Sequence, residues 1–458
     1  MKIMTRVALF VSTLAIALMM TGCGGGGSGG GTDPFTYFKA SNTNADDHFG
    51  RSVALSDDGT TLAVGANLED GDGSNQSNNS DSAAGAVYVF TSGWQQQAYI
   101  KAQTPAADDG FGFSVALSLD GTTLAVGVPQ FYSGTTKSGA VDVFTRSGST
   151  WTFRLRVPGE VAGDGFGSSV ALSNDGSVLA VGAPFAGTSA GAIYVYTRSD
   201  STWSSTATTD KFTSSSANDQ LGVSVALNGS GTVLAGGANQ ISSAGPGYAM
   251  IFVPTGNSNT WADHTSYRSK TITATGGETN DRFGVSVSLN TTGDMLAVGA
   301  RWEDSNTISN KSDNTAADSG AAYVFVTSDT WDTATPTETY VKATSPVAGD
   351  EFGTSVSLND SGNTLIVGAP APAPATKTGT VYRIVNNGTW AGGIASEQVI
   401  TPPSGDSGDN FGISVSSSAS ADKLAIGDYF EDSAATGVNG DKTDNSASDS
   451  GAAYVYVP

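Results

Sequence analysis

One phrase, written seven times, constrains this 458-residue chain more than anything else in it. "DDHFGRSVALSDDGTTLAVGA" occupies residues 46–66, and close variants return at 108, 163, 218, 280, 349 and 408. The Phe-Gly pairs fall at Phe49, Phe111, Phe166, Phe283, Phe352 and Phe411, with Leu221-Gly222 in the fourth copy, at intervals of 62, 55, 55, 62, 69 and 59 residues. Such a period marks a stacked repeat architecture, in which each unit is too small to bury its own apolar face.

Four segments recur in fixed order within each unit. The first is "FGxSVAL", with Ser52, Ser114, Ser169, Ser224, Ser286, Ser355 and Ser414 two residues after the glycine. A short turn leads to "LAVGA", whose leucine recurs from Leu62 to Leu424; then come "GAVYVF" and a segment opened by Trp that closes on "YIKA" or "YVKA" in some units. All four are short, rich in Val, Tyr, Phe and Thr, bounded by Gly, Asp, Asn and Ser, and without a helical stripe, which is the signature of strands. The Asp-Gly pair between the first two, such as Asp58-Gly59, predicts a tight hairpin. Each unit therefore reads as a four-stranded antiparallel meander. Seven meanders with uncovered faces suit radial packing, so the expected fold is all-β: a seven-bladed β-propeller of four-stranded antiparallel blades. The small residues of strands one and two belong near the axis, and the aromatics of strands three and four between blades.

An absence argues for ring closure. Trp94, Trp151, Trp203, Trp261, Trp331 and Trp390 open the fourth segments of units one to six, whereas unit seven stops at "GAAYVYVP". The missing strand stands at the other end, where "TYFKA" (36–40) matches "AYIKA" and "TYVKA". The last blade is thus expected to be closed by the N-terminal strand.

With "FG" and "VGAP" (181–184, 367–370) both present, the chain resembles the FG-GAP repeat family, the seven-bladed propeller of integrin α-subunits and of many bacterial exported proteins. The resemblance covers 34–458. Integrin propellers carry Asp-rich Ca²⁺ loops between strands one and two; here the matching turns, Asp57-Asp58-Gly59 and Asp120-Gly121, are too short to wrap a cation, so those sites do not carry over.

The first 22 residues read as an export signal: Lys2 and Arg6 precede an apolar run from Val7 to Met20 that is short for a membrane span. "MMTGC" resembles the lipobox of bacterial lipoproteins, which makes Cys23, the only cysteine, the expected lipidation site and residues 23–33 a Gly-rich tether. In that family Gly24, where Asp would retain the protein at the inner membrane, implies an outer-membrane lipoprotein, periplasmic or surface-exposed. Membrane contact is expected through the lipid anchor only, and disulfides are excluded. Setting aside Lys2 and Arg6 takes the 21 basic residues to 19 against 43 acidic, a formal charge of −24. This disfavours nucleic acid and anionic headgroups, and favours a cationic partner, a metal ion or a neutral sugar. A monomer is expected.

Loops preceding strand one and joining strands two and three share one face. Asp47, Asp109, Asp164, Asp219, Asp281, Asp350 and Asp409 recur there two residues before the Phe or Leu; repeated sevenfold, they read as scaffold whose carboxylates accept turn N–H groups. Asymmetry lies in loop length. Units one, five and seven have long strand two to three loops, each with a Glu-Asp pair: Glu69-Asp70, Glu303-Asp304 and Glu431-Asp432. With Asp72, Asp81, Asp313, Asp318, Asp441, Asp444 and Asp449 they form the candidate cation ligands, since clustered carboxylates, amides and carbonyls are what Ca²⁺ takes. Trp302, Tyr429 and Phe430 open two of these loops and are the candidate ligand contacts. Neither His48 nor His264 stands beside a nucleophile, and no carboxylate pair is singled out, so no catalytic residue is assigned. The expected function is an envelope-anchored binding or adhesion module that presents an acidic, loop-rich face to a protein or glycan partner with Ca²⁺ as a bridging ion. The alternatives are a propeller polysaccharide hydrolase or lyase, and a structural envelope protein without ligand.

Overall fold

The computed structural model describes residues 33–458 apart from 131–136, 199, 201, 241–244, 257–259, 263, 309 and 373–376. The expected signal, Cys23 and the tether up to residue 32 lie outside the described residues. Pro34–Pro458 form one compact unit. It comprises seven four-stranded antiparallel sheets joined in a ring, each with its strands in spatial order one to four. Blade 1 shows the pattern with Phe49–Leu55, Leu62–Ala66, Ala86–Thr91 and Gln95–Ile100. The only helical element among the described residues is the turn Ala186–Ser189.

First strands line the axis. Val53, Val115, Val170, Val225, Val287 and Val415 wall one axial cavity, while the larger side chains of the later strands fill the gaps between blades. Phe49, Tyr88 and Phe90 of blade 1, for example, pack with Phe38, Ala453 and Val455 of blade 7 in one buried cluster.

The repeated phrase is explained by how blades meet. The strand-one serine hydroxyl of each blade donates to the Phe-Gly (or Leu-Gly) glycine carbonyl of the next: Ser52 to Gly112, Ser114 to Gly167, Ser169 to Gly222, Ser224 to Gly284, Ser286 to Gly353 and Ser355 to Gly412. Ser414 donates to Gly50 at 3.1 Å, closing the circle. A Cβ on the strand-two glycine Gly427 would sit 2.0 Å from the same Gly50 oxygen, and the equivalent Gly65 has 2.0 Å to Gly112. Two blade backbones touch there, which is why the first strand carries FG and the second GA. On the opposite face a second belt is made of backbone alone: Asp57, Leu119, Asn174, Gly229, Thr291, Asp360 and Ala419 each donate an N–H to the carbonyl of the following member, and Ala419 returns to Asp57 at 3.0 Å.

The expected tight hairpin is instead a six-residue loop, since Leu55 pairs with Leu62. Ser56 holds it: its hydroxyl accepts the Thr61 N–H at 2.9 Å and donates to Asp58 at 2.6 Å. Glycine still has its place, with φ +62° at Gly59. The Trp that opens strand four braces this loop in four blades, with Trp203, Trp261, Trp331 and Trp390 donating to Gly176, Gly231, Gly293 and Gly362 carbonyls at 2.7 Å.

The last blade is closed by the N-terminal strand. Phe35–Phe38 pairs antiparallel with Ala452–Tyr456, from Phe35 opposite Tyr456 to Phe38 opposite Ala453. The long loop of blade 7 then lies along the strand's outer side: Lys39 N–H donates to Gly437 O, Asn439 N–H donates to Tyr37 O, both at 2.8 Å, and Phe38 bridges Val438.

Candidate functional site

The sevenfold Asp is a scaffold residue through its main chain. Its carbonyl accepts an N–H from the strand two to three loop of its own blade: Leu68 on Asp47, Gln130 on Asp109, Phe185 on Asp164, Gln240 on Asp219, Trp302 on Asp281, Ala371 on Asp350 and Phe430 on Asp409. The carboxylates vary more. Asp47 Oδ2 accepts from the Asn44 N–H at 2.8 Å, the turn role read from the sequence, whereas Asp109 accepts from Lys137 and Gln130 side chains. This latch makes Trp302 and Phe430 equivalent positions that face the same rim.

In the long loops, the three glutamates are structural. Glu69 accepts from Lys101 Nζ at 2.6 Å and Tyr99 OH at 2.7 Å. Glu431 accepts from Lys39 Nζ at 2.8 Å and Tyr37 OH at 2.7 Å. Glu303 accepts from Lys342 Nζ and, at 2.9 Å, Tyr340 OH. Each Lys and Tyr belongs to the "YxKA" strand of the same blade, and all three ion pairs are buried. The partner aspartates clamp the loop: Asp70, Asp304 and Asp432 Oδ1 accept from Ala83, Asp318 and Asp449 N–H, each at 2.8 Å. Asp318 and Asp449 thus contribute main chain to the clamp.

The other candidates sit in local turns, with Asp72 on the Ser74 N–H, Asp441 on the Thr443 N–H, Asp444 on the Ser446 N–H and Asp313 on the Thr315 hydroxyl. Asp81 receives the Gly71 N–H on its carbonyl. Among the described residues no three His, Cys, Asp or Glu side chains come together as a metal-binding group. The three inner glutamates are engaged by lysine and tyrosine, and Asp70, Asp304 and Asp432 each hold one loop N–H on Oδ1. The long loops of blades 1 and 7 do meet: Gln76, Ser77 and Asn79 share a cleft with Thr436 and with Ser41–Asn44.

What the loops frame is the mouth of the axis. A cavity of about 350 Å³ opens there, lined by Arg51, Phe113, Phe185, Gln220, Arg301 and Thr354 among others, with every blade contributing. Around it the sevenfold pattern breaks down. Arg51 lies 4.3 Å over the Phe113 ring and 5.5 Å from Tyr429. Tyr429 and Phe430 meet at a tilt, ring centres 4.1 Å apart, and both pack edge-on against His48, whose pKa burial lowers to about 4, with Arg51 adding to the shift. Trp302, half-buried, donates its indole N–H to Glu351 Oε1 at 3.0 Å and is approached by two guanidiniums, Arg282 at 4.4 Å and Arg301 at 5.2 Å from its ring centre. The three predicted contacts are therefore half-exposed and packed against neighbours at once. The arginines were not singled out from the sequence; the available signal was that Arg51, Arg282 and Arg301 replace unlike residues at repeat-equivalent positions.

Seven four-stranded blades closed through shared termini, with an axial mouth framed by unequal loops, make this molecule a seven-bladed β-propeller. The FG-GAP repeat model matches residues 37–90, 94–144, 155–196 and 268–325. The chain thus carries FG-GAP repeats within a seven-bladed propeller. Among solved structures, hydrazine synthase of Kuenenia stuttgartiensis superposes with a TM-score of 0.51 at 13% identity, covering 85% of this chain and 94% of that one, a likeness of fold alone. No curated protein matches the chain in sequence.

Proposed function

We propose that this propeller is an envelope-anchored binding module whose loop face, centred on the axial mouth, takes a protein or glycan partner. The observation that carries the reading is the half-exposed aromatic set of Trp302, Tyr429 and Phe430 at the rim of a cavity to which all seven blades contribute. Aromatic rings give large contact area at low entropic cost, and a rigid ring of blades holds them pre-organised. Cys23 is the proposed anchor, and the reading is of binding without turnover. Ca²⁺ is not required by it, since the rim is held by lysine pairs and N–H clamps.

The test applies the folded protein to arrays of glycans and envelope proteins, with and without chelator, beside Trp302→Ala. Binding that survives chelation and is lost in the variant, with melting unchanged, is the expected outcome. Equal binding by both proteins removes the mouth as the site. Release of the protein from membranes by Cys23→Ala tests the anchor separately.

A further inference from the structure

The chain has a formal charge of −22 and only ten arginines, yet Arg51, Arg282 and Arg301 converge at this rim. Two of them share one aromatic ring. Arg282 is 6% exposed, and its Nε and Nη1 have no acceptor; Arg301 Nε has none either. Among the described residues, Glu351 is the carboxylate in contact with the group, bonded to the Trp302 indole and 3.9 Å from Arg301 Nη1. Asp318 feels the charge of Arg301 but makes no ion pair with it.

Unsatisfied guanidinium donors held in a buried place are costly, because the group cannot shed its charge and its planar fork is built to receive an oxyanion. Burial and the proximity of Arg301 both depress the pKa of Arg282, as expected of two cations awaiting a counter-charge. The half-buried indole beside them keeps part of its ring exposed, and Gln220, Thr354 and Ser168 on the neighbouring cavity wall offer amide and hydroxyl groups. Guanidinium, aromatic ring and small polar groups on and beside one cavity, with Arg301 in its wall and Trp302 and Arg282 next to it, match an acidic sugar better than an extended acidic peptide, which would need backbone partners along its length.

We propose that the Arg282–Trp302–Arg301 stack at the axial mouth is a subsite for an anionic sugar residue, uronate or sulfate ester, whose ring packs on Trp302 and whose acid group is held by the two guanidiniums. The proposal rests on the loop-face reading above and names its ligand class, an anionic one where net charge alone suggested a cationic or neutral partner.

The probes are tetragalacturonate, its methyl ester, a sulfated galactan tetrasaccharide, the unsulfated galactan tetrasaccharide and hexaglutamate, titrated calorimetrically into the full chain. One or both acidic sugars are expected to bind at least about tenfold more tightly than their uncharged counterparts, the preference showing which acid is read. Arg282→Gln and Arg301→Gln are each expected to weaken that binding about tenfold, and the partly exposed Arg301 keeps the test informative should the buried Arg282 variant fold poorly. Uncharged sugars binding as tightly as acidic ones, unchanged binding in Arg301→Gln, hexaglutamate binding as well as the sugars, or no binding of any probe at millimolar concentration would each overturn it. Those outcomes leave the loop-face reading standing if Trp302→Ala still abolishes capture of another glycan or protein.

Discussion

Asp428 is fully buried, and neither carboxylate oxygen has a hydrogen-bond partner. The other blades put Ala66, Val128, Ala183, Ala238, Ala300 and Ala369 at this position, so one acid has replaced a small apolar residue. Burial, with Asp409 next in order, drives its pKa well above the ordinary range. Asp47 at about 8 and Asp281 and Asp409 at about 7 are raised first by the same cause. The sign follows: folded molecules keep protons that the unfolded chain releases near pH 4, so the stabilisation is full below that and is lost as the pH rises through 7 to 8. Melting temperature should fall between pH 5 and pH 8.5, and Asp428→Ala should flatten the slope and stabilise by about 1–3 kcal/mol at the upper end. A melting temperature that climbs with pH would refute this assignment. Gly427 gives a residue-scale contrast. Its alanine variant would drive a Cβ to 2.0 Å from the Gly50 carbonyl, and should cost about 2 kcal/mol or more in urea unfolding, since backbone on both sides must move. The glycine was legible as a recurring letter. Asp428 was equally visible, but its burial depends on the neighbouring sheet, which no single repeat encodes.

At the scale of elements, the closing strand is held by more than its ladder. Lys39, fully buried, joins Glu431 and Ser450, so the strand's end is pinned to the loop that covers it. Lys39→Ala leaves a buried carboxylate without its partner and should cost about 3–5 kcal/mol, whereas the apolar pair Lys39→Met with Glu431→Leu should recover most of it. Equal losses in single and double variants, read from urea midpoints, would mean that the pair does not act as a unit. The signal for these pairs lay in the chain all along: "YxKA" occurs in units one, five and seven, the same three that carry the long Glu-Asp loops. Read one segment at a time, the acids resemble cation ligands; read as covarying segments of one blade, they have lysine partners. The strands themselves were legible because period and turn residues repeat. The six-residue Ser56–Thr61 loop was not, because the Ser56 hydroxyl takes the Thr61 N–H that a tight hairpin would have given to a backbone carbonyl, while Ser56 N–H still donates to Thr61 O.

For the whole molecule, closure uses the same contacts at the seam as at any other junction. The backbone belt runs through Asp57, Leu119, Asn174, Gly229, Thr291, Asp360 and Ala419, residues with no shared side-chain chemistry, so nothing in the sequence could announce it. Since the seam is no different in kind, moving it should be tolerated. A circular permutant that links 458 to 34, where the Val457 N–H already donates to Pro34 O at 2.9 Å, and opens at the exposed Gly148 turn, should melt in one cooperative transition; stepwise melting would show that the native seam is privileged. The covering loop at 437–439 bears on the fate of many copies crowded together. A blade completed by a separate end of the chain is a vacancy that a neighbour's identical segment could occupy, passing strands from molecule to molecule. By occupying the free backbone beside Tyr37 and Lys39, the loop keeps each copy's own segment in its slot. Excising 435–440 should therefore shift the protein toward exchanged dimers on size-exclusion chromatography, one turn of loop standing between a chain's own end and its neighbour's.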